Sequence, residues 1–218
     1  MFDDTGGKQS GRARQSAFAR SRCPPLRAHS GTMPIAPLQR LFVALQPTEP
    51  VRAALAGLIG DISHARWTPP PQLHITLRFI GEVSDFSRQQ IEEALDRVRV
   101  QPFFLATKGA GRFPPRGHPS VVWAGVAGHP HLHQLRQQVD DRLLATGVPF
   151  ELRPFVPHFT LGRTKEASAG AVEQWLKRHR DFTGPAWRVD AFHLMASDLL
   201  PEGVEHRVVK TFALGRAD

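Results

Sequence analysis

Two short runs, LHITL at 73–77 and PHFTL at 157–161, each place a His and a Thr two residues apart ahead of a Leu, and their histidines lie 84 residues apart. In a β-strand alternate side chains share a face. His74 and Thr76 therefore point one way while Ile75 and Leu77 point the other, and His158 and Thr160 stand in the same relation to Phe159 and Leu161. A single His-x-Thr in a strand is ordinarily structural. A second copy at the matching place in the chain is what makes the pair a candidate site. Duplication of a strand-and-helix unit predicts two similar lobes that face each other.

The remaining pattern fits that plan. From Leu38 onward, β-rich runs alternate with helical spacings, and Pro or Gly marks most junctions. Strands are expected at 40–45, 73–80, from 103, at 120–126, 158–163, 187–196 and 207–214. Helices are expected at 50–62, where Val51, Leu55, Leu58 and Ile62 form one apolar stripe, and near 86–98, 131–144 and 171–179. Strands separated by helices also admit a parallel, doubly wound sheet. No Gly-x-Gly-x-x-Gly follows the first strand, which removes the main support for a dinucleotide-binding reading.

Charge separates one segment from the rest. The 218 residues carry a formal +8, and residues 1–32 hold half of it, with six basic residues against Asp3 and Asp4. That stretch is rich in Ser, Gly, Ala and Arg and too poor in large apolar residues to offset the entropy of ordering it. Residues 1–34 are therefore expected to be a disordered basic tail, or to precede a true start at Met33, with residues 35–218 as the folded domain. Arg and Ser enrichment is similar to that of a transit peptide, but the early acids argue against one. The whole chain is 41% hydrophobic with 14 Phe and 4 Trp, and with only Phe2 and Phe18 of these in the tail the folded part has ample material for a core. No apolar run approaches the ~20 residues of a membrane-spanning helix, so no membrane association is expected. A lone cysteine, Cys23, permits neither an internal disulfide nor a thiolate metal site, which is compatible with the cytoplasm.

The paired strands suggest a chemistry. Two imidazoles titrating near neutrality can serve as general acid and general base, and two hydroxyls can hydrogen-bond an oxyanion between them. This set suits phosphodiester chemistry with no metal and no cofactor.

Around the pairs stand RLFVAL at 40–45, Trp67 ahead of HITLRFIGEV at 74–83, Phe113-Pro114 ahead of VVWAGV, and RPFVPHFTLGR at 153–163. With these phrases the chain, from about Arg40 to Leu214, resembles the two-histidine phosphoesterase superfamily, in particular the RNA 2′,3′-cyclic phosphodiesterases also called 2′-5′ RNA ligases. The resemblance implies an α+β, bilobal, pseudo-twofold fold with two antiparallel sheets lining a central cleft and helices outside, in place of the parallel alternative. It implies hydrolysis of RNA 2′,3′-cyclic phosphate ends to 2′-phosphomonoesters, with His158 as proton acceptor from water and His74 as proton donor to the ribose O3′. Thr76 and Thr160 would hold the nonbridging oxygens. Ligation, the reverse reaction, and an RNA-binding module without turnover are the alternatives. Monomer is the default state.

Two arginines are weaker substrate-binding candidates. Arg78 shares the face of His74 by strict alternation. Arg163 ends the second motif but would point away from His158 unless the strand bends near Gly162. One departure from the family stands near the C-terminus, where an aromatic residue, often Tyr, gives way to His206 in a chain with no Tyr, although Ser197 and Leu199 still match. Trp67 and Phe42 could stack on a base, though core packing is the commoner fate of such aromatics. His129, His131 and His133 read as a solvated helix start rather than a metal site, and Lys108–Gly117 as a basic loop.

Overall fold

A computed structural model describes residues 38–114, 116–200 and 203–215; the basic tail, Cys23 and the candidate start at Met33 lie outside the described residues. The elements run β1 (Gln39–Leu45), α1 (Glu49–Ala56), β2 (Arg66–Trp67), β3 (Ile75–Val83), α2 (Asp85–Leu95), β4 (Phe103–Phe113), β5 (Val121–Val126), α3 (Pro130–Leu144), β6 (His158–Arg163), α4 (Ala169–His179), β7 (Thr183–Val189), β8 (Ala191–Leu200) and β9 (Gly203–Ala213). A 3-10 turn, Pro70–Gln72, precedes β3.

All the strand pairings are antiparallel. The strands lie in the order β7-β4-β5-β6-β3-β1-β8-β9, with β2 paired to β6 beside that path. The fold is α+β and the sheet does not close into a barrel. Its midpoint is unusual: β3 and β6 share one ladder pair, Ile75 opposite Phe159. Four strands lie on each side of that rung, so the two expected lobes are present as the halves β7-β4-β5-β6 and β3-β1-β8-β9. The lobes interleave in sequence. The last two strands, β8 and β9, join the lobe that β1 opens, while β4 belongs with β5 and β6.

The two faces of the sheet differ. One is covered by helices: Ile75, Leu77, Phe159 and Leu161 join a single core with Leu55 of α1, Leu95 of α2, Leu135 of α3 and Trp175 of α4, all nearly devoid of solvent contact. Burial of such side chains, at roughly 1.5–3 kcal/mol each, is the main favourable term. On the opposite face a small separate cluster, Phe42, Ala44 and Met195, is buried without helical cover.

Helix starts follow their residues. Ser84 and Ser168 accept hydrogen bonds from the amides of Ser87 and Ala171, each at 3.2 Å, and cap α2 and α4. His129 caps α3 by accepting from the amide of His131, and its ring stacks on Phe103 at 5.2 Å between centroids. The apolar stripe of 50–62 predicted a longer α1 than is found. Gly57 follows its last turn, and Gly60, Asp61 and His64 adopt positive φ, so the chain leaves the helix while Leu58 and Ile62 stay buried. Of the expected basic loop Lys108–Gly117, residues 108–113 are instead the far end of β4. Gly111 is needed there because a Cβ would lie 2.1 Å from the Trp123 ring.

Candidate active site at the seam of the two lobes

Continuing the antiparallel register one residue either way from the Ile75–Phe159 rung sets His74 opposite Thr160 and Thr76 opposite His158. Both His-x-Thr pairs thus share the face opposite the helices, with Ile75 and Phe159 locked into the core beneath them. The four residues singled out by the duplication are brought together.

Each imidazole is fixed in the same way. His74 Nδ1 lies 2.7 Å from the carbonyl of Gln72, and His158 Nδ1 lies 2.6 Å from that of Val156. A carbonyl only accepts, so in each ring Nδ1 carries the proton and donates, leaving Nε2 as the free nitrogen. Burial pushes the His74 imidazole down to about 4, opposed by its bond to Gln72 and reinforced by His206 and His158. Burial lowers His158 too, opposed by its bond to Val156. Free of ligand, both rings are mostly neutral at pH 7, and a bound anion raises the share that holds a second proton.

Bulges decide where the arginines go. On β3, Ala44 faces Thr76 but Val43 faces Arg78, so Leu77 is an extra residue; on β6, Trp123 faces Thr160 but Val122 faces Gly162, so Leu161 is extra. An extra residue reverses the alternation beyond it. The two strands consequently show one burial pattern: Thr half-buried, Leu buried, the next residue buried, the next exposed.

Arg78 is therefore turned away from the face it was expected to share with His74. It is 3% exposed and lies among Glu151 at 3.3 Å, Asp140 at 3.5 Å and the carbonyl of Pro149. Arg136 completes this group, 2.8 Å from Asp140 and 3.7 Å from Glu151. The guanidinium of Arg78 ties β3 to α3 and to the chain before β6. Arg163 is turned the other way, onto the face of His158 and Thr160, by the bend that its candidacy required. It is exposed, and its charge helps burial hold His206 below its ordinary pKa.

His206 takes the aromatic position noted from the sequence. Its ring stands edge-on to His74 at 5.1 Å and to Phe42 at 5.0 Å, while Nδ1 lies 3.1 Å from the hydroxyl of Ser197. Phe42 lies 4.9 Å from His74 and is buried beneath it. The other histidine is flanked differently, by Phe113 at 5.0 Å and Trp123 at 6.0 Å. Neither Phe113 nor Trp123 stood out as a site residue in the sequence, although both belong to strands leading to the second motif. Trp67 packs on Trp175 at 6.2 Å in the core, away from the histidines. Among the described residues, no group of three His, Cys, Asp or Glu side chains is arranged to hold a metal.

An imidazole and a hydroxyl from each of two lobes, brought to one face, agree with the expected class, the two-histidine phosphoesterases. The chain belongs to the 2′-5′ RNA ligase superfamily, whose model matches residues 41–199. It is 32% identical over 176 residues to an RNA 2′,3′-cyclic phosphodiesterase of Archaeoglobus fulgidus, covering 79% of this chain and 99% of that one. An RNA 2′,3′-cyclic phosphodiesterase of Thermus thermophilus is 35% identical over 186 residues, covering 80% and 90%. Among solved structures, Escherichia coli LigT in complex with 3′-AMP superposes with a TM-score of 0.68 at 27% identity, covering 82% of this chain and 99% of that one.

Proposed function

We propose that this protein hydrolyses RNA 2′,3′-cyclic phosphate ends to 2′-phosphomonoesters by acid-base catalysis between His74 and His158. The observation that carries the reading is the cross-strand square of His74, Thr160, Thr76 and His158 around one rung, with both Nδ1 atoms tied to backbone carbonyls. The names of the relatives support the substrate.

In this mechanism the Nε2 of His158 removes a proton from water as the water oxygen bonds to phosphorus. The bond from phosphorus to O3′ breaks, and O3′ takes a proton from the Nε2 of His74, leaving the phosphate on O2′. The acid must be loaded first, and the anionic cyclic phosphate does this by raising the imidazole pKa on binding. Thr76 and Thr160 donate to the nonbridging oxygens as charge develops there. Neither hydroxyl has a side-chain hydrogen bond among the described residues, which leaves both available. Arg163 adds a cation on the same face.

No step requires a metal, so full activity is expected in excess EDTA. Both histidines come from one chain, so a monomer suffices for the site, which light scattering checks; a cytoplasmic location is checked by cell fractionation, and among the described residues no helix is long and apolar enough to cross a membrane. The deciding experiment assays His74→Ala and His158→Ala on an oligonucleotide with a 2′,3′-cyclic phosphate end. Substantial turnover by either variant overturns the mechanism, and wild-type binding with the cyclic phosphate left intact would instead mark an RNA-binding module. The family's ligase name favours a second, reverse reaction in which a 5′-hydroxyl replaces water. Water at ~55 M outcompetes a dilute hydroxyl, so hydrolysis dominates.

A further inference from the structure

Beyond the rung, β3 and β6 separate, and the chain before β6 runs along the open edge of β3. A shallow cavity of about 360 Å³ lies there, lined by Arg78 and Phe79 from β3 and by residues 149–153. Its aromatic walls are unusual for a surface: Phe79 is 58% exposed and Phe150 is 61% exposed. Apolar rings so exposed cost free energy unless something covers them.

Phe79 is the wall of the cavity that reaches towards the histidines. The ring of Phe79 lies 6.1 Å from that of Phe42, which in turn lies 4.9 Å from His74. A cation stands at the rim, where Arg153 is largely exposed and held 2.8 Å from Glu151. Flat exposed aromatics beside a basic group, at the edge of a site for a nucleic-acid phosphate, match the chemistry of a single-stranded base platform. The volume is large enough for a nucleobase and too open for a fully enclosed small ligand.

We propose that Phe79 and Phe150 stack on nucleobases of the RNA strand that leads into the cyclic phosphate, so that the enzyme selects an oligonucleotide end over a mononucleotide. The inference rests on the hydrolytic reading above for the place of the phosphate. It assigns the groups that hold the rest of the strand, and stacking makes the subsite tolerant of base identity. Phe150 is the cleaner probe, because Phe79 also bears on Phe42 behind His74.

The test compares the full chain with Phe150→Ala and Phe150→Leu. One measurement is the ratio of kcat/KM for a five-nucleotide RNA ending in a 2′,3′-cyclic phosphate to that for adenosine 2′,3′-cyclic phosphate. The other is fluorescence anisotropy of a labelled five-nucleotide RNA with an unreactive 3′-hydroxyl end. Wild type is expected to favour the oligonucleotide. Phe150→Ala should lower that ratio roughly 10-fold, chiefly through KM, and weaken binding of the unreactive strand similarly, with Leu in between. Unchanged anisotropy in Phe150→Ala overturns the platform. Failure of the hydrolytic reading is separate: it shows in the histidine variants, while strand binding still reports on Phe150.

Discussion

The two lobes repeat one plan, and their differences lie at matched positions. With an offset of 84 residues, His74 corresponds to His158, Thr76 to Thr160 and the bulged Leu77 to Leu161. One step further the match fails. Arg78 corresponds to Gly162 and Phe79 to Arg163, while Trp67, whose ring would lie 2.8 Å from a Cβ at Gly162, corresponds to Glu151. One lobe fills the space under its strand with an ion pair, Arg78 with Glu151, and the other with an indole over a glycine. The exposed position above carries a ring on one side and a guanidinium on the other. The duplicated plan therefore keeps the His-x-Thr spacing and leaves the support beneath it and the exposed residue beyond it free to differ. What must be symmetric is the spacing about the rung; what need not be is how each strand is held.

The comparison breaks most sharply if the histidines are unequal. Replacing either with Ala is expected to lower kcat by roughly 10²- to 10⁴-fold, with the double variant little worse than the poorer single, as single-turnover assays would show. A much milder loss at one position would mean that only one lobe carries the chemistry. The supports come next. Arg78→Ala removes the buried guanidinium that ties β3 to Asp140 and Glu151 but leaves both carboxylates paired with Arg136, and should cost about 2–3 kcal/mol in urea denaturation, whereas Gly162→Ala crowds Trp67 and should cost about 1–3 kcal/mol. Smaller again, Thr76→Val and Thr160→Val should each lower kcat roughly 10- to 100-fold with the fold intact by circular dichroism.

The pH dependence gives the finest probe. The base must be neutral and the acid protonated, and both imidazoles titrate below the ordinary 6.5. The plot of kcat/KM, which reports the free enzyme, should rise as pH passes the lower of the two pKa values and fall as it passes the higher, with its optimum below 6.5. His206→Phe removes a group that depresses His74 and leaves His158 without a matching change. The limb set by His74 should then move to higher pH, while an unmoved profile would show that His206 only packs.

The sequence made the paired histidines and threonines legible because alternation along a strand is a local rule that holds for two residues. It failed for the arginines because a bulge adds one residue without any mark in the pattern, and one residue reverses every face beyond it. Arg78 left the site and Arg163 entered it for that single reason. Gly109 and Gly111 made the end of β4 look like a loop, when Gly111 is required by the close approach of Trp123. The flanking rings of His158 were hidden too, since Phe113 and Trp123 meet it only once β4 and β5 are paired.

The interleaving of the lobes bears on the order of assembly. Arg40 at the start of β1 pairs with Ser197 near the end of β8, so the edge of the first strand stays open until almost the whole chain has been synthesised. The strands of the second lobe span a continuous stretch from Phe103 to Val189 and can close first. A nascent chain can thus pair the strands around His158 before β1 gains its outer neighbours β8 and β9. A product truncated before β8 would leave the outer edge of β1, beside the strand of His74, unpaired.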